Sequence, residues 1–148
     1  ANPNKLLYVA AYAELLTEAK KYGQALTLLE RQLVLNPDNP PLSMLYATAL
    51  SKNGEYEVAE VVLKRQSRTR PDDIDVWYDL AETAGKAGNI IGVHRARAEF
   101  FALHGAYTKA IQHLEYARRL VSQTDTQLHA RLDQRINDLR TKLRIAQS

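Results

Sequence analysis

Cysteine is absent from this 148-residue chain. Disulfides, thiolate metal sites and cysteine nucleophiles are therefore excluded, while neither a reducing nor an oxidising compartment is selected. Proline (five) and glycine (six) are scarce, and most stand where helices would end. No run approaches the roughly 18 apolar residues of a membrane span. The opening ANPNKLLYVAAYAE has no basic segment followed by an apolar run, so no signal peptide is visible, and it lacks an initiating methionine. We expect a mature or excised piece. H-E-x-x-H, G-x-S-x-G and Walker motifs are missing as well. The Gly85-x-x-Gly88 pair has no strand before it and reads as a helix terminator.

What is present is ordinary globular composition, with 45% apolar and 25% charged residues. The charge is uneven along the chain. Residues 1–93 hold ten Lys/Arg against twelve Asp/Glu, whereas residues 94–148 hold ten against five. Such asymmetry bears on partner choice. The basic excess in the last helix is interrupted by Asp133 and Asp138, and we expect a solvated cap there and no nucleic-acid partner.

The most informative pattern is an echo. Ala13, Ala25, Leu29, Gln32 and Pro37 reappear in the same order and spacing as Ala47, Ala59, Leu63, Gln66 and Pro71. The period that relates them, 34, is that of the tetratricopeptide repeat, a helix–turn–helix unit that stacks into a solenoid. Small residues sit where the helices of a hairpin touch, large apolar residues fill the space between hairpins, and proline closes the unit. The expected fold is all-α, a right-handed superhelix of about eight helices forming a single domain over residues 1–148. A plain helical bundle would not need the register.

Helix signals divide the chain accordingly. Asn2-Pro3 starts a first helix, with Leu6, Val9, Tyr12, Ala13, Leu16 and Ala19 inward, ending near Tyr22-Gly23. Further helices are expected over 24–35, 40–52, 56–69, 74–87, 90–104, 107–121 and 126–146. Asn39 and Asp72 or Asp73 serve as caps, Asn53-Gly54, Gly88-Asn89 and Gly105 as breaks, and Thr124 with Gln127 as a capping box. Repeats are placed at 6–39 and 40–73, followed by a degenerate repeat at 74–104, in which Val93 replaces the expected small residue. A half-repeat at 90–121 overlaps it, because Gly105 follows Gly88 at only half the period. The helix over 90–104 is thus shared. Residues 124–148 form a cap, with Leu128, Leu132, Ile136, Leu139 and Leu143 on one stripe.

In such a solenoid the first helices of the hairpins line a concave face. Ala10, Glu14, Thr17 and Glu18 fall there in repeat one, and Met44, Thr48, Ser51 and Lys52 in repeat two. Asp75, Tyr78, Glu82 and Lys86 follow in repeat three, then Arg95, Glu99 and Ala102 on the shared helix. We expect Met44, Tyr78, Glu82, Lys86, Arg95 and Glu99 to contact protein segments, apolar side chains at Met44 and Tyr78, carboxylates or carbonyls at Lys86 and Arg95. The lysine/asparagine clamp that one repeat subtype uses for a C-terminal carboxylate is absent, since Ala10, Glu14, Met44 and Thr48 occupy its positions. Trp77, Tyr46 and Tyr12 read as core. Four histidines are scattered, and His129 with Asp133 share a helical face without making a metal site. No catalytic residue, cofactor or metal is expected in this chain.

Residues Asp75 to Leu120, DVWYDLAETAGKAGNIIGVHRARAEFFALHGAYTKAIQHLEYARRL, resemble the C-terminal repeat region of bacterial periplasmic zinc metalloproteases of the β-barrel assembly-enhancing group. The elements that carry the resemblance are LAETAGKAGN, HRARAEFFALHG and AIQHLEYA, followed by an arginine-rich closing helix. The resemblance implies a periplasmic, non-catalytic interaction domain. It implies as partners outer-membrane β-barrel proteins, their assembly machinery and a protease domain of the same polypeptide, where zinc and H-E-x-x-H would reside. A free-standing adaptor or regulatory scaffold built of the same repeats is the alternative.

Overall fold

The structure, a computed structural model, describes residues 3–148. Among them are eight helices and no strand: α1 (Pro3–Glu18), α2 (Tyr22–Leu35), α3 (Pro40–Lys52), α4 (Tyr56–Thr69), α5 (Ile74–Lys86), α6 (Ile90–Leu103), α7 (Tyr107–Leu120) and α8 (Thr126–Gln147). The chain separates into two compact units, Ala1–Pro71 and Asp72–Ser148.

In the first unit α1 pairs with α2 and α3 with α4, while α3 packs against both helices of the first hairpin. Ala13, Ala25 and Leu29 are fully buried, as are Ala49 and Ala59. Those alanines let helix backbones approach, and Leu16, Leu29, Leu42 and Leu63 fill the spaces around them. Each buried leucine side chain contributes on the order of 2 kcal/mol of transfer free energy.

The hairpin turns repeat in atomic detail. The amide of Lys21 donates to the Leu16 carbonyl at 2.8 Å, that of Glu55 to Leu50 at 2.8 Å and that of Asn89 to Ala84 at 2.8 Å. This is the six-to-one bond of a Schellman helix end. Its left-handed residue is Lys20 (φ 61°), then Gly54 (φ 82°) and Gly88 (φ 79°), each one full period after the last. The first helix therefore ends at Glu18, before the expected Tyr22-Gly23 stop. Lys20, not Gly23, takes the positive φ, and Gly23 lies inside the first turn of α2. A lysine hid the terminator from any search for glycine.

Several caps match the sequence signals. The Leu42 amide donates to Asn39 Oδ1 at 3.1 Å, the Asp75 amide to Asp73 Oδ1 at 2.9 Å, and the Gly92 amide to Asn89 Oδ1 at 2.9 Å. The expected cap Asn2 lies outside the described residues. At the last helix the capping residue is Asp125, which accepts from the Leu128 amide at 3.1 Å, while the Thr124 hydroxyl pairs with Ser122 Oγ at 2.8 Å. A carboxylate one residue nearer the helix displaces threonine from the role.

Two inward assignments fail. Tyr12 is 55% exposed, and Ala19 is exposed in the turn. Tyr12 stands one period before Tyr46, which is half-buried against the first hairpin and donates its hydroxyl to Glu30 at 3.0 Å. No described hairpin covers the corresponding face of α1, so Tyr8, Tyr12 and Leu15 remain exposed where Leu42, Tyr46 and Ala49 are covered. Trp77 is half-buried.

In the second unit α6 packs between α5 and α7, and α8 closes on α7. Ala98 of α6, Ile111 and Leu114 of α7, and Leu132, Ile136 and Leu139 of α8 form one buried cluster, with Leu128 and Leu143 packed against it. Val93, in the position of Ala25 and Ala59, is accommodated because its neighbour on α5 is Gly85. A methyl group added there would meet Val93 Cγ2 at 3.6 Å.

Candidate functional site

The expected binding residues fall in both units. In the first, Met44 is half-buried, and its carbonyl accepts from the Thr48 hydroxyl at 3.0 Å. Lys52 and Glu18, both expected on the inner face, meet at 3.4 Å, one period apart on the first helices of successive repeats. Both are well exposed, so this pair contributes little to stability. Thr17 is buried and returns its hydroxyl to the Ala13 carbonyl at 2.8 Å, which removes it from any binding surface.

The second unit gathers Tyr78, Glu82 and Lys86 on α5 and Arg95 and Glu99 on α6. Tyr78 is 54% exposed, and its ring lies 6.0 Å from that of Phe100. From there ring contacts run on without a break. Phe100 meets Phe101, Phe101 stacks on His113 at 5.4 Å, His113 meets His94, and His94 meets Tyr116, itself 49% exposed. The two imidazoles face each other, Nδ1 to Nδ1, at 3.0 Å. Burial, with Arg97 nearby, pushes His94 below its ordinary pKa, and burial, His94 and Arg97 do the same to His113. Two charged rings would present two N–H groups to each other, so the contact disfavours double protonation, in the same direction as the lowered pKa values.

The electrostatics of this unit are polarised. On α5, burial and then Asp75, Asp73 and Glu82 raise the pKa of Asp79. On α6 the sign reverses. Burial and Arg131 of α8 lower Arg95, although Glu99 acts in the other direction. Glu99 is held from α8 by Arg135, with Nη2 to Oε1 at 2.6 Å and Nε to the two carboxylate oxygens at 3.0 and 2.9 Å. This forked pair is partly buried, with side-chain exposures of 20% for Glu99 and 33% for Arg135. Sequence reading placed Glu99 on the concave face as a residue that contacts a partner, whereas here Arg135 of the closing helix holds it. The signal was Arg135 itself, far downstream on α8, and nothing short of the tertiary packing of that helix joins the two.

Asp133 is likewise taken, by Arg118 of α7. His129 Nδ1 is buried without a partner. Among the described residues no three His, Cys, Asp or Glu side chains converge on one point.

Paired helices with buried alanines at a constant repeat spacing define a protein-binding repeat scaffold. Residues 16–82 match the tetratricopeptide repeat family, and the fold of the chain is of that helical-repeat type. It is also similar to curated proteins called β-barrel assembly-enhancing protease. It is 30% identical to the one from Escherichia coli strain K12 over 140 residues, which is 95% of this chain and 28% of that protein. To the putative one from Vibrio cholerae it is 35% identical over 98 residues, 66% of this chain and 20% of that protein. The chain thus spans between a fifth and under a third of the length of these relatives. Among solved structures, the MamA RS-1 ArsTM double mutant superposes with a TM-score of 0.62 at 20% identity, covering 96% of this chain and 79% of that one. PcrH, in complex with the chaperone-binding region of PopD, superposes with a TM-score of 0.58 at 13% identity, covering 96% of each. Both agree with the helical-repeat fold. No helix among the described residues is long and apolar enough to cross a membrane.

Proposed function

We propose that this chain is the non-catalytic, protein-binding repeat region of a periplasmic zinc metalloprotease that acts in outer-membrane protein assembly. The observation that carries this reading is the similarity of nearly the whole chain to proteins named for enhancing β-barrel assembly. It includes the shared helix α6 and the closing helix α8, which an ordinary array of repeats does not require. The zinc and its H-E-x-x-H helix belong, on this reading, to a preceding domain. This chain supplies the surface that selects what the protease meets.

The binding surface in the second unit is the exposed Tyr78 with the flank of α6 around Arg95; Glu82 and Lys86 border it on α5, and Met44 serves the first unit. Tyr78 offers a ring already fixed on one side by Phe100, so little side-chain freedom is lost on binding. The test places a photo-crosslinking residue at position 78 of the full-length protein in its native envelope. Outer-membrane β-barrel proteins or their assembly factors are the expected crosslinked species. Crosslinks confined to cytosolic proteins, together with an upstream coding sequence that lacks H-E-x-x-H, would overturn the reading.

A further inference from the structure

The flank shared by α6 and α8 has a charge arrangement that the fold itself does not balance. Residues 94–148 contain five carboxylates, and each is engaged. Glu99 is held by Arg135, Glu115 by Arg140 at 3.4 Å, and Asp133 by Arg118. Asp125 caps α8, and Asp138 accepts from Gln134 Nε2 at 3.0 Å. Arg95 stands one turn before Glu99 on α6 and Arg131 one turn before Arg135 on α8, so the fork that joins the two helices sets these guanidinium groups side by side; neither bonds a carboxylate, and Arg131 adds to burial in lowering the Arg95 pKa. One turn along, Glu99 makes its three contacts with Arg135 and acts on Arg95 only at a distance, without bonding it. Counted with that pair and with Asp138, which also acts on Arg135, the two guanidinium groups leave this flank net positive. Arginine does not deprotonate in proteins, so the repulsion persists in the unliganded domain.

We propose that Arg95 and Arg131 form a carboxylate-binding site for an acidic segment of a partner polypeptide. The proposal rests on the protein-binding reading above and names the chemistry of the partner. A carboxylate between the two guanidinium groups accepts hydrogen bonds from both and removes their mutual repulsion, two gains from one ligand. The Arg135–Glu99 fork pre-organises the site by fixing the neighbouring side chains. A polypeptide fits better than a polyanion. α5, which packs on α6, carries Asp75, Asp79 and Glu82 behind its cap Asp73, a crowd whose charge adds to burial in raising Asp79. A nucleic-acid strand or an anionic bilayer brings a dense, continuous negative charge that this helix repels. An acidic segment need place only one or two carboxylates.

The experiment measures fluorescence anisotropy of a labelled Asp/Glu-rich peptide and its Asn/Gln counterpart with the full 148-residue chain. The acidic peptide binds, the amide peptide binds at least about tenfold more weakly, and Arg95→Gln/Arg131→Gln loses about tenfold in affinity for the acidic one. Arg119→Gln removes one unit charge elsewhere, half of what the double variant loses, and leaves affinity within about twofold. Circular dichroism establishes that each variant is folded. A folded double variant that binds as tightly as the parent overturns the proposal, and so does an equal loss in Arg119→Gln. Oligothymidylate, or vesicles containing phosphatidylglycerol, bound through Arg95 and Arg131 more tightly than the peptide would also overturn it. Crosslinking from position 78 in the double variant separates the two readings. Capture that persists at full strength removes this site and leaves the interaction domain standing, whereas loss of capture in step with peptide affinity supports both.

Discussion

The first unit keeps time and the second does not, and the difference lies in what each asks of its polar residues. From α1 to α4 the structural positions recur at the full period, including the six-to-one hydrogen bonds and the left-handed turn residue. Apolar burial does nearly all the organising, and ion pairs such as Lys52–Glu18 are exposed additions, with Glu60 of the Lys64–Glu60 pair the buried exception. From α5 onward the turn signal returns after only half a period, at Gly105 (φ 73°). One helix then has to serve two neighbours. Its α7 side carries His94 and Phe101, while its α8 side carries Arg95 and Glu99. A helix with two packed sides and few residues to spare builds polar and aromatic contacts into its seams.

The sharpest way to break the contrast is to remove the closing helix. Deleting residues 124–148 strips Leu132, Ile136 and Leu139 from the cluster around Ala98 and Leu114, and the second unit should unfold or aggregate. Thermal circular dichroism with dye binding would show it, and an unchanged melting curve would refute it. Within the regular unit, enlarging a contact alanine should hurt. Ala59→Leu should cost about 1–3 kcal/mol because Ala59 is fully enclosed. By contrast, Gly85→Ala, opposite the bulky Val93, should stay within about 1 kcal/mol, since the new methyl meets Val93 at ordinary contact distance. Urea denaturation distinguishes the two. Arg135→Gln leaves Glu99 without its forked partner in a partly buried seam, and a loss of about 1–2 kcal/mol is expected.

The histidine seam gives the second unit a pH dependence in the imidazole range, where the first unit holds no histidine. Because His94 and His113 have lowered folded-state pKa values, the unfolded chain takes up protons first as pH falls. Their effect on stability is absent well above the ordinary histidine pKa of about 6.5, and destabilisation grows as pH drops through it toward the lower folded values. His94→Gln/His113→Gln should flatten that slope, read as urea midpoints across the range. A slope that survives in the double variant would place its origin elsewhere. The smallest effect belongs to the turn. Lys20→Gly relieves a left-handed lysine and should stabilise by up to about 1 kcal/mol, the reverse of Gly54→Ala.

The architecture was legible because repeat packing is local and periodic. Ala25 and Leu29 can be recognised from Ala59 and Leu63 without knowing where any of them sits, and the closing stripe Leu132, Ile136 and Leu139 announces itself by helical spacing. Legibility failed where a residue's role depended on a partner far along the chain. Glu99 looks like a concave-face carboxylate until Arg135 arrives from α8. Tyr12 looks like core until the face above it proves uncovered. Asp133 looks free until Arg118 takes it. Lys20 failed for a different reason, since backbone conformation at a turn is set by the hydrogen bonds around it and not by glycine alone.

By itself, then, the sequence determined the helices, their pairing into hairpins, the loss of register after Gly88 and the basic excess beyond residue 93. These follow from the period of apolar positions and from charge counts, both additive along the chain. Tertiary structure alone decided which charges are spent on each other and which remain. Pairing depends on distance between α6, α7 and α8, not on order in the chain, and that accounting leaves Arg95 and Arg131 unbalanced beside a paired Glu99.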